Sequence, residues 1–301
     1  MFVPDESDVS PGTPSRSSAS AVAGILTGLA IMIVSEAATL AGIEPFASWN
    51  TPIAWTGFIV FADAVVFRAR GHSWMRSSPR EFAALCAVSI PLWLVFEAFN
   101  LVIRNWRYIG LPENRALRTF GYAWSFATIW PAIFEAADLI GVFRKTVVAI
   151  PARPASPAGP ALSARPALSA VGAGMLAAPL LATPDIARYL AAPVWLGFIL
   201  LLDPINARGG AESLLRDWRA GQFDRIINLI LSGFLCGFLW ELWNYWARAK
   251  WQYTVPIMEN LKIFEMPLPG YLGFPPFALE CFTMYVFIRS LFRRSGRPIA
   301  L

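Results

Sequence analysis

Two polar motifs interrupt otherwise apolar stretches of this chain and carry its most chemically capable side chains. Glutamate, asparagine and arginine recur at the same spacing in Glu97, Asn100, Arg104 and in Glu241, Asn244, Arg248. Positions i, i+3 and i+7 share one face of a helix, so each set predicts a polar stripe that faces inward. A carboxyl in such a place can move protons, while the amide and guanidinium can bind a polar head group.

Aromatic pairs follow both motifs, as Trp106-x-Tyr108 and Trp251-x-Tyr253. Amphipathic rings of this kind settle at the membrane surface, where they form an aromatic belt. Their repetition at identical spacing also allows a lining role in a pocket. We therefore predict that both pairs bind substrate together with the two asparagines and two arginines.

Further carboxyls also occur in matching pairs. Asp63 matches Asp203, and Glu135 matches Glu280, each glutamate standing four residues after a proline. An ionised side chain at mid-bilayer costs about 2.5–3.5 kcal/mol, so these groups must lie inside the bundle. We predict that the matching carboxyls converge on one water-poor interior, with Glu97, Glu135, Glu241 and Glu280 as catalytic acid–base groups and Asp63 and Asp203 as binding groups.

Composition indicates the elements that position these residues. Hydrophobic residues make up 56% of the chain and charged residues 15%, against about 45–50% and 25% in soluble proteins. Stretches of about 20 apolar residues can span a bilayer. Eight are predicted, at about 20–43, 52–69, 82–103, 120–142, 167–184, 189–206, 226–247 and 271–290. The predicted fold is an all-α, polytopic membrane bundle.

Self-similarity divides the bundle into two halves. Residues 55–73 align with 195–213, sharing Trp, Gly, Phe, Ile, Asp, Arg and Ser. This predicts tandem repeats of four helices each, which enter the membrane in parallel because four is even. The expected domains are a disordered cytoplasmic tail (1–19), a first repeat (20–150), a Pro/Ala-rich linker (151–166) and a second repeat (167–301).

Basic residues predict the orientation. With both termini cytoplasmic, 17 of the 25 Lys and Arg lie on the inner side, as the positive-inside rule requires. The expected location is the cell membrane. The bases are scattered over loops, which argues against a nucleic-acid partner and leaves a membrane lipid or apolar small molecule as the expected one.

Residue types also limit the cofactors. The single histidine, His72, cannot supply histidine boxes, paired haem ligands or a HExxH zinc site. Cys86, Cys236 and Cys281 are isolated within apolar stretches. We expect no metal site and no cofactor, which leaves carboxyl acid–base chemistry.

Residues 251–274, "WQYTVPIMENLKIFEMPLPGYLGF", resemble the repeat of the membrane-bound lycopene cyclases. The residues in register are Trp251, Tyr253, Lys262, Ile263, Pro267, Leu268, Leu272 and Phe274. Pro269 and Gly270 stand where that family has paired glutamates. The resemblance implies a small polytopic protein that protonates an isoprenoid or carotenoid-like polyene without metal, with Glu265, Glu280 and Glu241 as the nearest replacement acids.

Three functions remain open at this point. The first is a cyclase- or isomerase-like membrane enzyme acting on an isoprenoid lipid. The second is a proton-coupled transporter or lipid flippase, with Asp63, Asp203, Glu135 and Glu280 at a midplane site. The third is a scaffold whose polar stripes only pack. Glu36 has no acidic counterpart in the second half, and its role is open.

Overall fold

The structure is a computed structural model that describes residues 16–144, 165–258, 260–292 and 296–299. The expected tail (1–19) and linker (151–166) lie mostly outside the described residues. Their described parts are helical, because α1 begins at Arg16 and α6 begins at Arg165.

Helices form most of the described chain. Their bounds are α1 Arg16–Leu40, α2 Phe46–Arg70, α3 Trp74–Ser77, α4 Pro79–Ile103, α5 Arg115–Phe143, α6 Arg165–Leu181, α7 Pro184–Ala187, α8 Ala191–Arg208, α9 Leu214–Arg219, α10 Asp224–Tyr245 and α11 Phe274–Leu291. Four short strands, β1 Trp106–Ile109, β2 Lys250–Tyr253, β3 Lys262–Ile263 and β4 Met266–Pro267, and a 3-10 helix at Leu268–Gly273 complete it.

Among the described residues, six helical segments are long and apolar enough to cross a membrane. They are α1, α2, α4, α5, α10 and the segment Leu268–Leu291, which contains α11. Multi-pass, all-α membrane architecture is thereby confirmed. The shorter helices α6 and α8 occupy the two remaining stretches that the sequence predicts as spans.

The elements follow the same order twice along the chain. Two long helices, a short helix, a long helix, a strand and a final long helix appear first as α1, α2, α3, α4, β1, α5. They appear again as α6, α8, α9, α10, β2, α11, with α7 and a small β3–β4 hairpin added.

Glycines set the closest helix contacts at matching places. A Cβ on Gly28 of α1 would lie 2.5 Å from the amide nitrogen of Phe61 in α2. A Cβ on Gly172 of α6 would lie 2.4 Å from that of Leu201 in α8. Small residues let membrane helices approach to backbone contact, so both helix pairs depend on them.

The strand β1, which follows α4, pairs with the strand β2, which follows α10. β1 and β2 are antiparallel, with Trp106 opposite Tyr253 and Tyr108 opposite Trp251. We call this the strand end of the bundle, and the opposite end, with α3 and α9, the short-helix end.

The first half of α1 lies near Arg76 of the loop helix α3, and Ile299 contacts Arg225 and Glu212. Both ends of the described chain therefore lie at the short-helix end.

Candidate functional site

The two matching asparagines hold the strands in place. Asn244 Oδ1 accepts from the Trp251 amide and its Nδ2 donates to the Trp251 carbonyl, both at 2.9 Å. Asn100 makes the same two bonds with Trp106, at 3.2 and 2.8 Å. Because both hydrogen-bonding groups of each amide are occupied by backbone, these asparagines position the site and do not offer free groups to a ligand.

The matching glutamates each accept a hydrogen bond from a strand tyrosine. Tyr253 donates to Glu241 Oε1 at 2.7 Å, and Tyr108 donates to Glu97 Oε1 at 2.6 Å. The environments then differ. Glu97 also accepts from the indoles of Trp93 and Trp106, at 2.8 and 3.2 Å.

Glu241 is the less satisfied of the two carboxyls. It is fully buried, and its Oε2 has no hydrogen-bond partner among the described residues. The nearby Trp251 indole donates to the Tyr253 hydroxyl at 2.9 Å. A buried polar atom without a partner costs free energy and calls for an explanation by function or by an unseen partner.

Burial keeps both tyrosines protonated. It is the main cause that raises the pKa of Tyr253 well above its usual range, and the neighbouring Glu241 raises that pKa further. Burial and then Glu97 raise the pKa of Tyr108 in the same way. Each hydroxyl therefore remains a hydrogen-bond donor.

The strand tyrosines line a cavity of about 420 Å³ at the strand end. This is within the usual size range of small-molecule sites. Its wall combines residues of both halves and is mainly aromatic: Trp49, Trp55, Trp93, Trp106, Tyr108, Tyr122, Phe126, Tyr189, Trp195, Trp240, Trp251, Tyr253, Phe274 and Phe277. Glu97 and Glu241 lie behind this wall, covered by the tyrosines.

The cavity is elongated along α5. Its lining includes Arg118, Tyr122, Phe126 and Ile129, which follow one face of that helix. Eleven residues separate Arg118 from Ile129, a distance of about 16 Å along a helix axis. The shape suits a chain-like molecule better than a compact one.

Aromatic rings of the wall pack against one another. Trp93 contacts Trp240 with ring centroids 5.6 Å apart, and Trp55 contacts Trp240 at 6.0 Å. Phe277 lies against Trp195 at 5.4 Å. Edge-to-face packing of this kind adds to the burial of the rings and places ring faces around one space.

Arg104 and Arg248 do not belong to the polar stripes, so this expectation is wrong. α4 ends at Ile103 and α10 at Tyr245, before either arginine. Both arginines are exposed, and Arg248 forms an ion pair with Glu44. A guanidinium is strongly hydrated and therefore costly to bury. Each helix ends before its arginine, which leaves the charged side chain outside the bundle.

Asp63 and Asp203 lie at the short-helix end, away from the cavity. Asp63 accepts from the Met75 amide at 2.8 Å and pairs with Arg76 at 2.5 Å. Asp203 accepts from the Leu214 and Leu215 amides, both at 2.8 Å. Each carboxylate caps the start of a short helix, which corrects the expectation that they bind substrate.

Glu135 and Glu280 are fully buried within α5 and α11 but are not part of the cavity wall. Glu280 lies one turn beyond Phe277, and its Oε1 accepts from the Phe198 amide at 3.3 Å. Neither oxygen of Glu135 has a partner among the residues described. Glu135 has Asp63 and Asp138 as electrostatic neighbours, whereas Glu97 and Glu241 lie behind the cavity at the strand end. The repeated carboxyls therefore lie at two levels of the bundle.

Glu36 has a structural partner. Its Oε2 accepts from Asn50 Nδ2 at 3.0 Å, and the same amide also donates to the Trp243 carbonyl at 3.0 Å. Ser35 donates to Asn50 Oδ1 at 2.7 Å. This cluster ties α1 to α2 and α10.

Sequence reasoning missed several residues of the cavity. Trp55 and Trp195 occupy equivalent places in the aligned segments 55–73 and 195–213, and that match was the available signal. Trp93, Trp240 and Arg118 had no such signal, because only the packing of α4, α5 and α10 turns them toward the same space.

Within the described ranges, no group of three or more His, Cys, Asp or Glu side chains could hold a metal ion. Comparisons with protein-family models, with curated proteins and with solved structures gave no significant match.

Proposed function

We propose that the protein is built from two parallel four-helix repeats with eight spans, and that both termini are cytoplasmic in the cell membrane. The repeated element order supports this architecture. So do the equivalent caps made by Asp63 and Asp203 and the equivalent Glu97–Tyr108 and Glu241–Tyr253 pairs. The excess of basic residues on the inner side, 17 of 25, supports the orientation.

The cavity's role is to bind an isoprenoid-like small molecule with a long apolar part. One observation carries this proposal: an elongated, aromatic-lined cavity lies between the two halves at the strand end. Apolar lining with few polar groups is typical of small-molecule sites. Extended conjugated or branched chains would gain contact with the flat ring faces along its length.

Proton-initiated chemistry on that molecule is the proposed reaction. Tyr253 lines the cavity and bonds to Glu241, the buried carboxyl with an unpartnered oxygen. With Glu241 protonated, the Tyr253 hydroxyl would turn from the carboxyl to the substrate, give its own proton to a double bond and take the carboxyl proton of Glu241. Loss of a proton from the neighbouring carbon returns one to the pair, so the product is an isomer and the acid is regenerated.

Ring faces would stabilise the cation that forms between these two steps. The negative face of an indole attracts a cation within about 6 Å of the ring centroid. Trp251 lies beside Tyr253, and Trp240 lies 5.5 Å from Trp251 between ring centroids. The proposed reaction therefore needs only side chains that meet at the cavity.

Lipid extracts from cells that express the protein test this proposal. We expect a changed isoprenoid profile with the wild type and a loss of turnover of about a hundredfold or more with Glu241→Gln or Tyr253→Phe. Tyr189→Phe is the control, because Tyr189 lines the same cavity and bonds to no carboxyl of the described residues. An unchanged isoprenoid profile with folded wild-type protein would contradict the proposed enzyme activity. Equal activity of all variants would show that Glu241 and Tyr253 do not supply the proton.

A further inference from the structure

One cation in the cavity wall, Arg118, has no side-chain partner among the described residues. The wall contains Arg118 and Lys250, and Lys250 is neutralised by Glu265 at 2.6 Å. Arg118 makes no ion pair and no side-chain hydrogen bond with any residue that the structure describes. The Arg118 residue is only partly exposed, so water has limited access to its charge.

Polar groups accumulate at the same end of the cavity. Tyr122 follows Arg118 by one helical turn, and both line the space. Thr51 Oγ1 and Asn105 Oδ1 are buried atoms of lining residues, and neither has a partner among the described residues. All four belong to the start of α2, the start of α5 or the residue before β1, which places them at the strand end.

The opposite end of the cavity is apolar. Phe126 and Ile129 continue the same face of α5, and Phe277 reaches them from α11. A polar end and an apolar end about 16 Å apart form a gradient that matches an amphiphile lying along α5. A wholly apolar molecule would leave three polar groups without partners, namely the Arg118 guanidinium, the Thr51 hydroxyl and the Asn105 side-chain carbonyl.

From this arrangement, and resting on the proposed function, we infer that the ligand is an anionic amphiphile whose carboxylate or phosphate head group binds Arg118 and whose single apolar chain extends toward Ile129. A guanidinium offers a planar pair of donors that fits either oxyanion. The second half provides no equivalent cation in the wall, since Lys250 is paired. The ligand is therefore expected to bind in one direction only.

Quenching of tryptophan fluorescence by brominated chains can test this inference on the purified full-length protein in detergent. The probes are a long-chain brominated carboxylic acid, the matching alkyl phosphate and the matching alcohol. We expect the acid or the phosphate to bind about tenfold more tightly than the alcohol, which is the lower range for a charge-assisted hydrogen bond at a partly exposed site. The acid and phosphate arms distinguish the two head groups.

Arg118→Gln should remove this preference and leave binding of the alcohol unchanged. Arg115→Gln is the matched control, because Arg115 is exposed in the first turn of the same helix and does not line the cavity. Elution volume and helical circular dichroism check that both variants fold. Equal binding of acid and alcohol to the wild type, or an anion preference that survives Arg118→Gln, would overturn the inference and leave the proposed binding function intact. Failure of every chain to quench would instead contradict the cavity's proposed role.

Discussion

The hydroxyl of Tyr253 donates a 2.7 Å hydrogen bond to Glu241, a carboxyl that is fully buried at the end of α10. This bond joins the strand β2 to the helix that precedes it, and it stands directly behind the wall of the aromatic cavity. Its counterpart, Tyr108 to Glu97, is 2.6 Å long. Two equivalent polar pairs therefore support one apolar space.

Alkaline titration should show that the two paired tyrosines ionise last. A raised pKa keeps the neutral O–H form present above pH about 10, where an unperturbed tyrosine ionises. Removing both hydroxyls by Tyr108→Phe and Tyr253→Phe should leave the tyrosinate absorbance near pH about 10 unchanged and reduce only the step at higher pH. A smaller absorbance near that ordinary value would contradict the buried assignment.

Asn244→Ala should destabilise the protein, because it leaves the Trp251 amide and carbonyl without their partner. We expect a loss of about 1–3 kcal/mol in the free energy of unfolding. Gln252→Ala is the control on the neighbouring strand residue, whose side chain meets only Arg107 at 3.3 Å. Thermal unfolding in detergent measures both, and equal losses would show that the asparagine does not clamp the strand.

Alanine substitution should lower the thermal stability at one glycine of α6 and leave it unchanged or raise it at another. Gly172→Ala would place a Cβ 2.4 Å from the Leu201 amide nitrogen and must push α6 from α8. Gly174→Ala meets nothing within 4 Å and should be neutral or stabilising by up to about 1 kcal/mol, since alanine favours the helix. Melting temperatures of the two variants check this, and similar values would contradict the close crossing.

Glu212 should be important for the short-helix end. Its carboxylate pairs with Arg225 at 2.6 Å and with Arg289, and it also accepts from the Ile299 amide at 3.2 Å. Glu212→Gln leaves Arg225 with Asp217 and Arg289 with Glu81 as remaining partners, so we expect a cost of about 1–3 kcal/mol in the free energy of unfolding. The exposed Glu113 has no ion pair with described residues, so Glu113→Gln should have little effect in the same unfolding assay.

Sequence alone was enough for the class of the fold and for the pairing of its key residues. Apolar runs of about 20 residues have only one stable backbone arrangement in a bilayer, the helix, and so the long helices lie near their expected places. The match of segment 55–73 with 195–213 also paired Asp63 with Asp203, and the structure gives both the same kind of partner, the start of a short helix.

Only the tertiary structure decided which of these residues share a site. Sequence spacing gives the face of a helix but not the helix that covers it, so Arg248 was expected inside the bundle and lies outside it. Tyr253 and Trp106 meet because β1 and β2 pair across the two halves, and that pairing creates the cavity wall. No local sequence pattern pointed to Arg118, because only the tertiary structure shows that it lines the aromatic cavity.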